Sequence, residues 1–177
     1  NSFAISRSGA ALYQLGFDRV NASELVWVSR SGSTSAVDSS WYGRLEYPAL
    51  SPDGTYIAVS VIGAPTEVWV RRDDGARRKL SPDGAVSWRP FWMPDSRSVL
   101  YTSDRASRGG KNDPAIFRIP VELRSEPELV HRDAFGIWEA EVSSDGQWLV
   151  YRRDDDANRS RIFARRLDGD TTTYQLA

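Results

Sequence analysis

Apolar positions along the chain fall in short runs, and the runs are cut every few residues by turn formers. Four stretches align without gaps: Ile5-Ser-Arg-Ser-Gly-Ala-Ala-Leu-Tyr13, Leu50-Ser-Pro-Asp-Gly-Thr-Tyr-Ile-Ala58, Trp92-Met-Pro-Asp-Ser-Arg-Ser-Val-Leu100 and Val142-Ser-Ser-Asp-Gly-Gln-Trp-Leu-Val150. Each reads as the end of an apolar strand, a tight turn and a second apolar strand. The turn positions Gly9, Gly54, Ser96 and Gly146 lie 45, 42 and 50 residues apart. A second landmark recurs between them, at Trp27, Trp69, Phe117 and Phe163, with spacings of 42, 48 and 46. Asp53, Gly54, Asp95, Asp145 and Gly146 are expected to be structural turn residues. Asp bonds its own backbone, Gly accepts positive φ, and Pro presets φ at the second turn position. In the second unit the pattern predicts strands over 45–51, 55–61, 67–72 and 77–80. No segment carries a sustained 3.6-residue apolar period with caps, so almost no helix is expected. Ser81-Pro-Asp-Gly84 repeats the motif letters out of phase, 30 residues after Ser51-Pro-Asp-Gly54, and belongs in a loop between units.

Four-stranded units repeating every 40–45 residues or so are the mark of β-propeller blades. The expected fold is therefore all-β: a β-propeller with four blades of four antiparallel strands, at about 1–43, 44–84, 85–132 and 133–177. One blade cannot bury both of its faces. Alternating residues such as Ile57, Val59, Val61, Val68 and Val70 supply apolar surface for stacking against a neighbour.

At these motifs the chain resembles the PD40, or WD40-like, repeat family found in TolB. The second unit carries the closest likeness, in Tyr47-Pro-Ala-Leu-Ser-Pro-Asp-Gly-Thr-Tyr-Ile-Ala-Val-Ser60, Val68-Trp-Val70, Asp74-Gly75 and Arg78-Lys-Leu-Ser81. The third and fourth units keep Pro90-Phe-Trp-Met-Pro-Asp95 and Ser143-Ser-Asp-Gly146, and the first has Ser8 where the others have Asp. Propellers of this family usually have six blades or more, so the resemblance implies that four blades are part of a larger propeller. Phe3-Ala-Ile-Ser-Arg-Ser-Gly-Ala-Ala-Leu-Tyr13 and Leu25-Val-Trp-Val-Ser-Arg-Ser-Gly32 look like the start of propellers carried C-terminal to bacterial serine/threonine kinase domains. That likeness implies a sensor or interaction module in a periplasmic or extracytoplasmic setting. Kinase motifs themselves are absent from the sequence.

Composition narrows the chemistry. The 177 residues hold 23 basic and 24 acidic side chains, a net charge of −1, which gives no electrostatic footprint for nucleic acid or an anionic membrane. There is no Cys, so disulfides, thiolate metal sites and a Cys nucleophile are excluded. No apolar run approaches the roughly 20 residues of a spanning helix, and direct membrane insertion is not expected. The chain starts at Asn1 without a signal-peptide pattern and reads as a segment of something longer.

A search for catalytic groups ends in structural readings. His131 is the sole histidine and is expected to be a surface residue at the end of an outer strand, and no Gly-x-Ser-x-Gly elbow accompanies it. Asp154, Asp155 and Asp156 lack the Gly and terminal Glu of a calcium loop and lie among Arg152, Arg153, Arg159 and Arg161, as a solvated hairpin would. Glu139 and Glu141 share one face of an inner strand and read as channel lining rather than as a glycosidase pair. No catalytic residue, metal site or cofactor is expected. The strongest constellation comes from the alignment, which sets Tyr47, Arg89 and Glu139 at one equivalent inner-strand position. Trp88 and Trp138 precede two of them, and entry loops add Trp41 and Arg44. In a propeller such positions gather at one mouth of the central channel, and aromatic residues with Arg are the stuff of binding hot spots.

The leading expectation is a non-catalytic scaffold that binds a protein, peptide or other ligand. The alternatives are the gating or substrate-binding propeller of a prolyl-oligopeptidase-like peptidase, and a purely structural piece that forms homo-oligomers through its end blades.

Overall fold

The computed structural model describes residues 3–5, 9, 11–15, 22–107, 113–122, 125–155, 157 and 159–177. Part of the first unit's turn, at 6–8 and 10, lies outside the described residues, as does Asp156. The described residues form four antiparallel sheets, each running in chain order from an inner to an outer strand. The first holds β1 (Phe3–Ile5), β2 (Ala11–Leu15), β3 (Ser23–Val28) and β4 (Thr34–Ala36). The second holds β6 (Leu45–Leu50), β7 (Tyr56–Val61), β8 (Glu67–Arg72) and β9 (Arg77–Lys79). The third holds β10 (Ser87–Trp92), β11 (Ser98–Ser103), β12 (Ala115–Pro120) and β13 (Glu128–His131). The fourth holds β14 (Glu139–Val142), β15 (Trp148–Asp154), β16 (Ser160–Arg166) and β17 (Thr173–Gln175). A single 3-10 turn, Asp104–Ala106, is the one helical element among the described residues.

The first sheet has one strand more than expected. A short β5 (Tyr42–Gly43) pairs with Ser23 and Glu24 of β3. The cause is local: the buried Ser23 hydroxyl lies 3.0 Å from the Gly43 carbonyl and 3.1 Å from the Leu45 carbonyl, and accepts from the Leu45 amide at 3.2 Å. One side chain thus ties the loop entering the second sheet to the first.

The turns follow their chemistry. The Asp53 carboxylate accepts from the Thr55 amide at 3.0 Å, Asp95 from Arg97 at 2.9 Å and Asp145 from Gln147 at 3.0 Å, each two residues on. Gly54 and Gly146 sit at φ of 79° and 75°, and Ser96 holds the same conformation at 61° without being glycine.

The chain divides into two units, residues 1–90 and 91–177. In the first, Leu12, Leu25, Trp41, Leu45, Ile57 and Val59 form one buried cluster, so the first and second sheets stack face to face. In the second, Phe91, Leu100 and Ile116 of the third sheet meet Ile137, Leu149, Tyr151 and Phe163. Burial of each large apolar side chain is worth about 1.5–3 kcal/mol, and each of these two seams buries several.

Register also refines the aromatic landmark. Trp69 pairs with Lys79, two residues before the last pair of its hairpin, Arg71 with Arg77. Trp27 pairs with Ser35, only one residue before its last pair, Val28 with Thr34. A one-residue offset reverses the face. Trp27 and Trp69 therefore point from opposite sheets into the same seam, and both pack on its cluster.

Candidate functional site

The inner strand β6 is not a regular strand. It pairs Glu46 with Ser60 and then Ala49 with Ala58, so three steps on β6 match two on β7. The extra residue makes a β-bulge at Tyr47-Pro48, and Tyr47 adopts φ of 53°. Arg89, at the equivalent place on β10, adopts φ of 51° and is also followed by a proline, Pro90. Proline has no N–H to give the ladder, so the chain can leave register there without orphaning a donor. The Arg89 amide turns to the Ser60 hydroxyl at 3.0 Å, and Ser60 is fully buried. Tyr47, Arg89 and Ser96 are the non-glycine residues with positive φ among those described. Such strain costs of order 1–3 kcal/mol per residue and tends to persist where surrounding structure holds a side chain in place for a task.

The distortion brings the two side chains together. The Arg89 guanidinium carbon stands 4.6 Å from the Tyr47 ring centroid, a cation–π stack. Trp88 beside them is half-buried. Arg44, with its side chain 53% exposed, lies 4.0 Å from Glu46. Tyr42, 74% exposed, is carried on the short β5 pairing. This is the strongest candidate site in the first unit.

Two sequence expectations need correcting. Trp41 was expected at a rim, yet it is 8% exposed and belongs to the buried cluster of the first seam, with the Arg77 guanidinium 5.5 Å above its ring. His131 was expected on the surface, and it does end the outer strand β13, but it is only 8% exposed. Its position opposite Ile116 turns it to the seam, where its ring meets Tyr151 edge-on at 4.8 Å.

In the second unit Glu139 is regular: Glu139 to Val142 pair residue by residue with Arg152 to Leu149, and Ala140 rather than proline follows. The equivalence of Glu139 with Tyr47 and Arg89 holds in sequence but not in backbone conformation. The Glu139 carboxylate reaches Arg152 at 3.5 Å, and the half-buried Trp138 donates its amide to the Arg152 carbonyl at 3.0 Å. Asp154 pairs with Arg152 at 2.9 Å and Asp155 with Arg159 at 2.9 Å, so these carboxylates are engaged by arginine.

Two charged clusters had not been singled out from sequence. In the first unit the Asp38 carboxylate receives Arg71 at 3.3 Å and Arg77 at 3.1 Å. The Ser40 hydroxyl and amide, helped by the two arginines, hold its carboxyl down at about 2. In the second unit Asp133 accepts from the Tyr151 hydroxyl at 2.9 Å and pairs with Arg153 at 3.1 Å. Beside it, Arg165 lies 2.7 Å from Nδ1 of His131. Burial, with Arg165 adding to it and Asp133 opposing, lowers His131 to about 4. The loop into the fourth sheet is pressed close here: a Cβ on Gly136, at φ of 72°, would lie 2.6 Å from Pro114. An Asp in an entry loop facing arginines of the next sheet is the signal that was legible but unused.

Comparison with solved structures places this architecture. No protein-family model matches the sequence. TolB from Acinetobacter baumannii superposes with a TM-score of 0.80 at 16% identity, over 100% of this chain and 43% of that one. A protein of Agrobacterium tumefaciens provisionally named TolB gives 0.83 at 20% identity, over 100% of this chain and 64% of that one. The fold is that of part of a TolB-like β-propeller. A puromycin-hydrolysing peptidase of Mycobacterium tuberculosis shares it too, with a TM-score of 0.75 at 17% identity over 99% of this chain and 29% of that one. At these identities the propeller fold is what is shared, and the chain spans less than two thirds of each of these proteins. The likeness to kinase-borne propellers is not among the relations these structures show.

Proposed function

We propose that this propeller segment is a non-catalytic recognition scaffold whose contact surface in the first unit is the Tyr47–Arg89 pair, with Trp88 and Arg44 as further candidates. The observation that carries this reading is the matched distortion of two inner strands, which stacks a guanidinium on a phenol ring at 4.6 Å. A protein or peptide segment is the ligand class such a surface suits, because aromatic and Arg anchors dominate protein interfaces. The wording of the first repeat extends the proposal to the sensor or interaction module of a bacterial signalling protein. The likeness to a peptidase supports a second reading, in which the propeller serves a catalytic domain carried elsewhere in a longer protein.

The test is selection from a random displayed-peptide library on the immobilised chain, followed by titration of the recovered peptides. Arg89→Ala should weaken them about tenfold or more, the scale of a hot-spot residue, with an unchanged melting temperature. Recovery of no peptide, or peptides that bind Arg89→Ala equally well, would defeat the recognition reading.

A further inference from the structure

Five Asp-Gly pairs lie in the sequence, beginning at Asp53, Asp74, Asp83, Asp145 and Asp168. An Asp followed by Gly can close on itself, because no Cβ on the next residue shields its amide nitrogen. The Gly nitrogen bonds to the Asp Cγ, the Cγ–O bond breaks, and the amide proton leaves with the hydroxyl as one water. A second water then opens the ring. Opening at Cγ restores Asp. Opening at the original peptide carbonyl gives isoaspartate, with the main chain running through Cβ. In a folded chain two restraints oppose closure: a carboxylate pinned by its neighbours, and a Gly N–H already donated within the turn.

Three of the five pairs carry both restraints. The Gly54 amide donates to the Ser51 carbonyl at 2.9 Å, Gly75 to Arg72 at 3.0 Å and Gly146 to Ser143 at 2.8 Å. The carboxylates of Asp53, Asp74 and Asp145 accept from the amides of Thr55 at 3.0 Å, Ala76 at 2.9 Å and Gln147 at 3.0 Å. Asp168 keeps one restraint, a carboxylate held by Arg166 at 2.7 Å with the Asp170 amide at 3.4 Å. Asp83 lies in the out-of-phase Ser81-Pro-Asp-Gly84 and differs from all four. Among the described residues the Gly84 amide makes no backbone hydrogen bond, and the Ala85 amide does not reach the Asp83 carboxylate. The cause is Ser81. In the Ser51 turn the serine hydroxyl donates to Asp53 at 2.6 Å, whereas the buried Ser81 hydroxyl accepts from the Val68 amide at 3.0 Å and so belongs to β8. Asp83 meets Lys79, a flexible side chain shared with Glu67 at 3.0 Å. The Asp83 side chain is 92% exposed, against 45% for Asp74 and 49% for Asp168.

We propose that Asp83-Gly84 is the site at which this protein forms isoaspartate, while the fold shields the other four pairs. The pair lies in the loop leading to β10 (Ser87–Trp92), so the change adds a main-chain carbon just before the strand that carries Arg89.

The test is prolonged warm incubation at neutral pH in water enriched in heavy oxygen, followed by proteolysis and mass spectrometry of the five Asp-Gly peptides. Each passage through the ring leaves one heavy oxygen behind. An isoaspartyl methyltransferase with S-adenosylmethionine then marks the peptides that opened at the original carbonyl. In the folded chain the Asp83 peptide should take up label at least several-fold faster than any of the other four. In urea, where the turns are lost, the five rates should draw together. Asp83→Glu should abolish labelling of that peptide, because the larger ring closes far more slowly; the position is exposed, and circular dichroism should show the variant folded. No uptake at Asp83 in the folded chain, faster uptake at another pair, or the same order of rates in folded and urea-unfolded chains would overturn the proposal.

Discussion

His131 makes the second unit sensitive to mild acid. Arginine can only donate, so Nδ1 of His131 must accept from Arg165 at 2.7 Å, and the ring proton sits on Nε2. Nε2 is buried and has no hydrogen-bond partner among the described residues. Protonation would set a second N–H against the guanidinium, inside a seam. The result is a fall from the usual 6.5 to about 4, caused first by burial and then by Arg165. The folded state thus binds the proton less readily than the unfolded chain does. Stability is complete above the unfolded value and is lost as pH falls from 6.5 toward 4. Taking those two values, the loss by pH ~5 is RT ln[(1 + 10^1.5)/(1 + 10^−1)], or about 2 kcal/mol. Glu141 works in the opposite direction, because desolvation raises its carboxyl and its protonation favours the folded form. A reference variant is therefore needed. His131→Gln keeps an oxygen acceptor for Arg165 and does not titrate. Urea denaturation near pH ~7.5 and ~5, followed by circular dichroism, should show the unmodified chain losing about 2 kcal/mol more than His131→Gln between the two conditions. Equal losses in the two proteins would refute the account of the seam.

Three further outcomes follow from the same contacts. Ser60→Ala removes the acceptor of the Arg89 amide in a fully buried place, and should cost about 1–3 kcal/mol in a chemical denaturation series. At Tyr47, with φ of 53°, glycine should be tolerated while valine should lower the melting temperature, because a β-branched side chain is a genuine outlier at positive φ; equal melting of the two variants would argue against the bulge. The Asp38 carboxyl is held near 2 by Ser40 and by Arg71 and Arg77, so its contribution is present above 3.8 and vanishes as pH falls through about 2. Asp38→Asn should remove that part of the acid transition and lower the midpoint at neutral pH, as a pH series of thermal melts can show.

Much of the architecture was legible along the chain. Period-2 alternation bounded by Pro-Asp-Gly and Asp-Gly turns placed the strands of the second unit to within a residue at most ends: β7 begins at Tyr56 rather than 55, and β9 stops at Lys79 rather than 80. These signals are local. A turn needs its own residues, and a strand's face needs only the residue two places on. Tyr47 and Arg89 were also brought together by alignment alone, because equivalent positions of repeated units come to equivalent places.

Other features were set only by three-dimensional packing. Trp27 and Trp69 have nearly the same sequence surroundings, yet a one-residue difference in register turns them to opposite faces of their sheets. Glu139 aligns with Tyr47, but no proline follows it and its strand stays regular. His131 reads as polar and terminal in its strand, and is buried because the neighbouring sheet's Tyr151 closes over it. The repeated strands and their turns follow from the sequence alone, since each depends on contacts within a few residues; the extra β5 does not, because Ser23 reaches Gly43 from far along the chain. Which aromatic fills a seam, which inner strand bulges and which ionisable group is cut off from water depend on the surface presented by the next sheet. That surface exists only once the sheets have stacked.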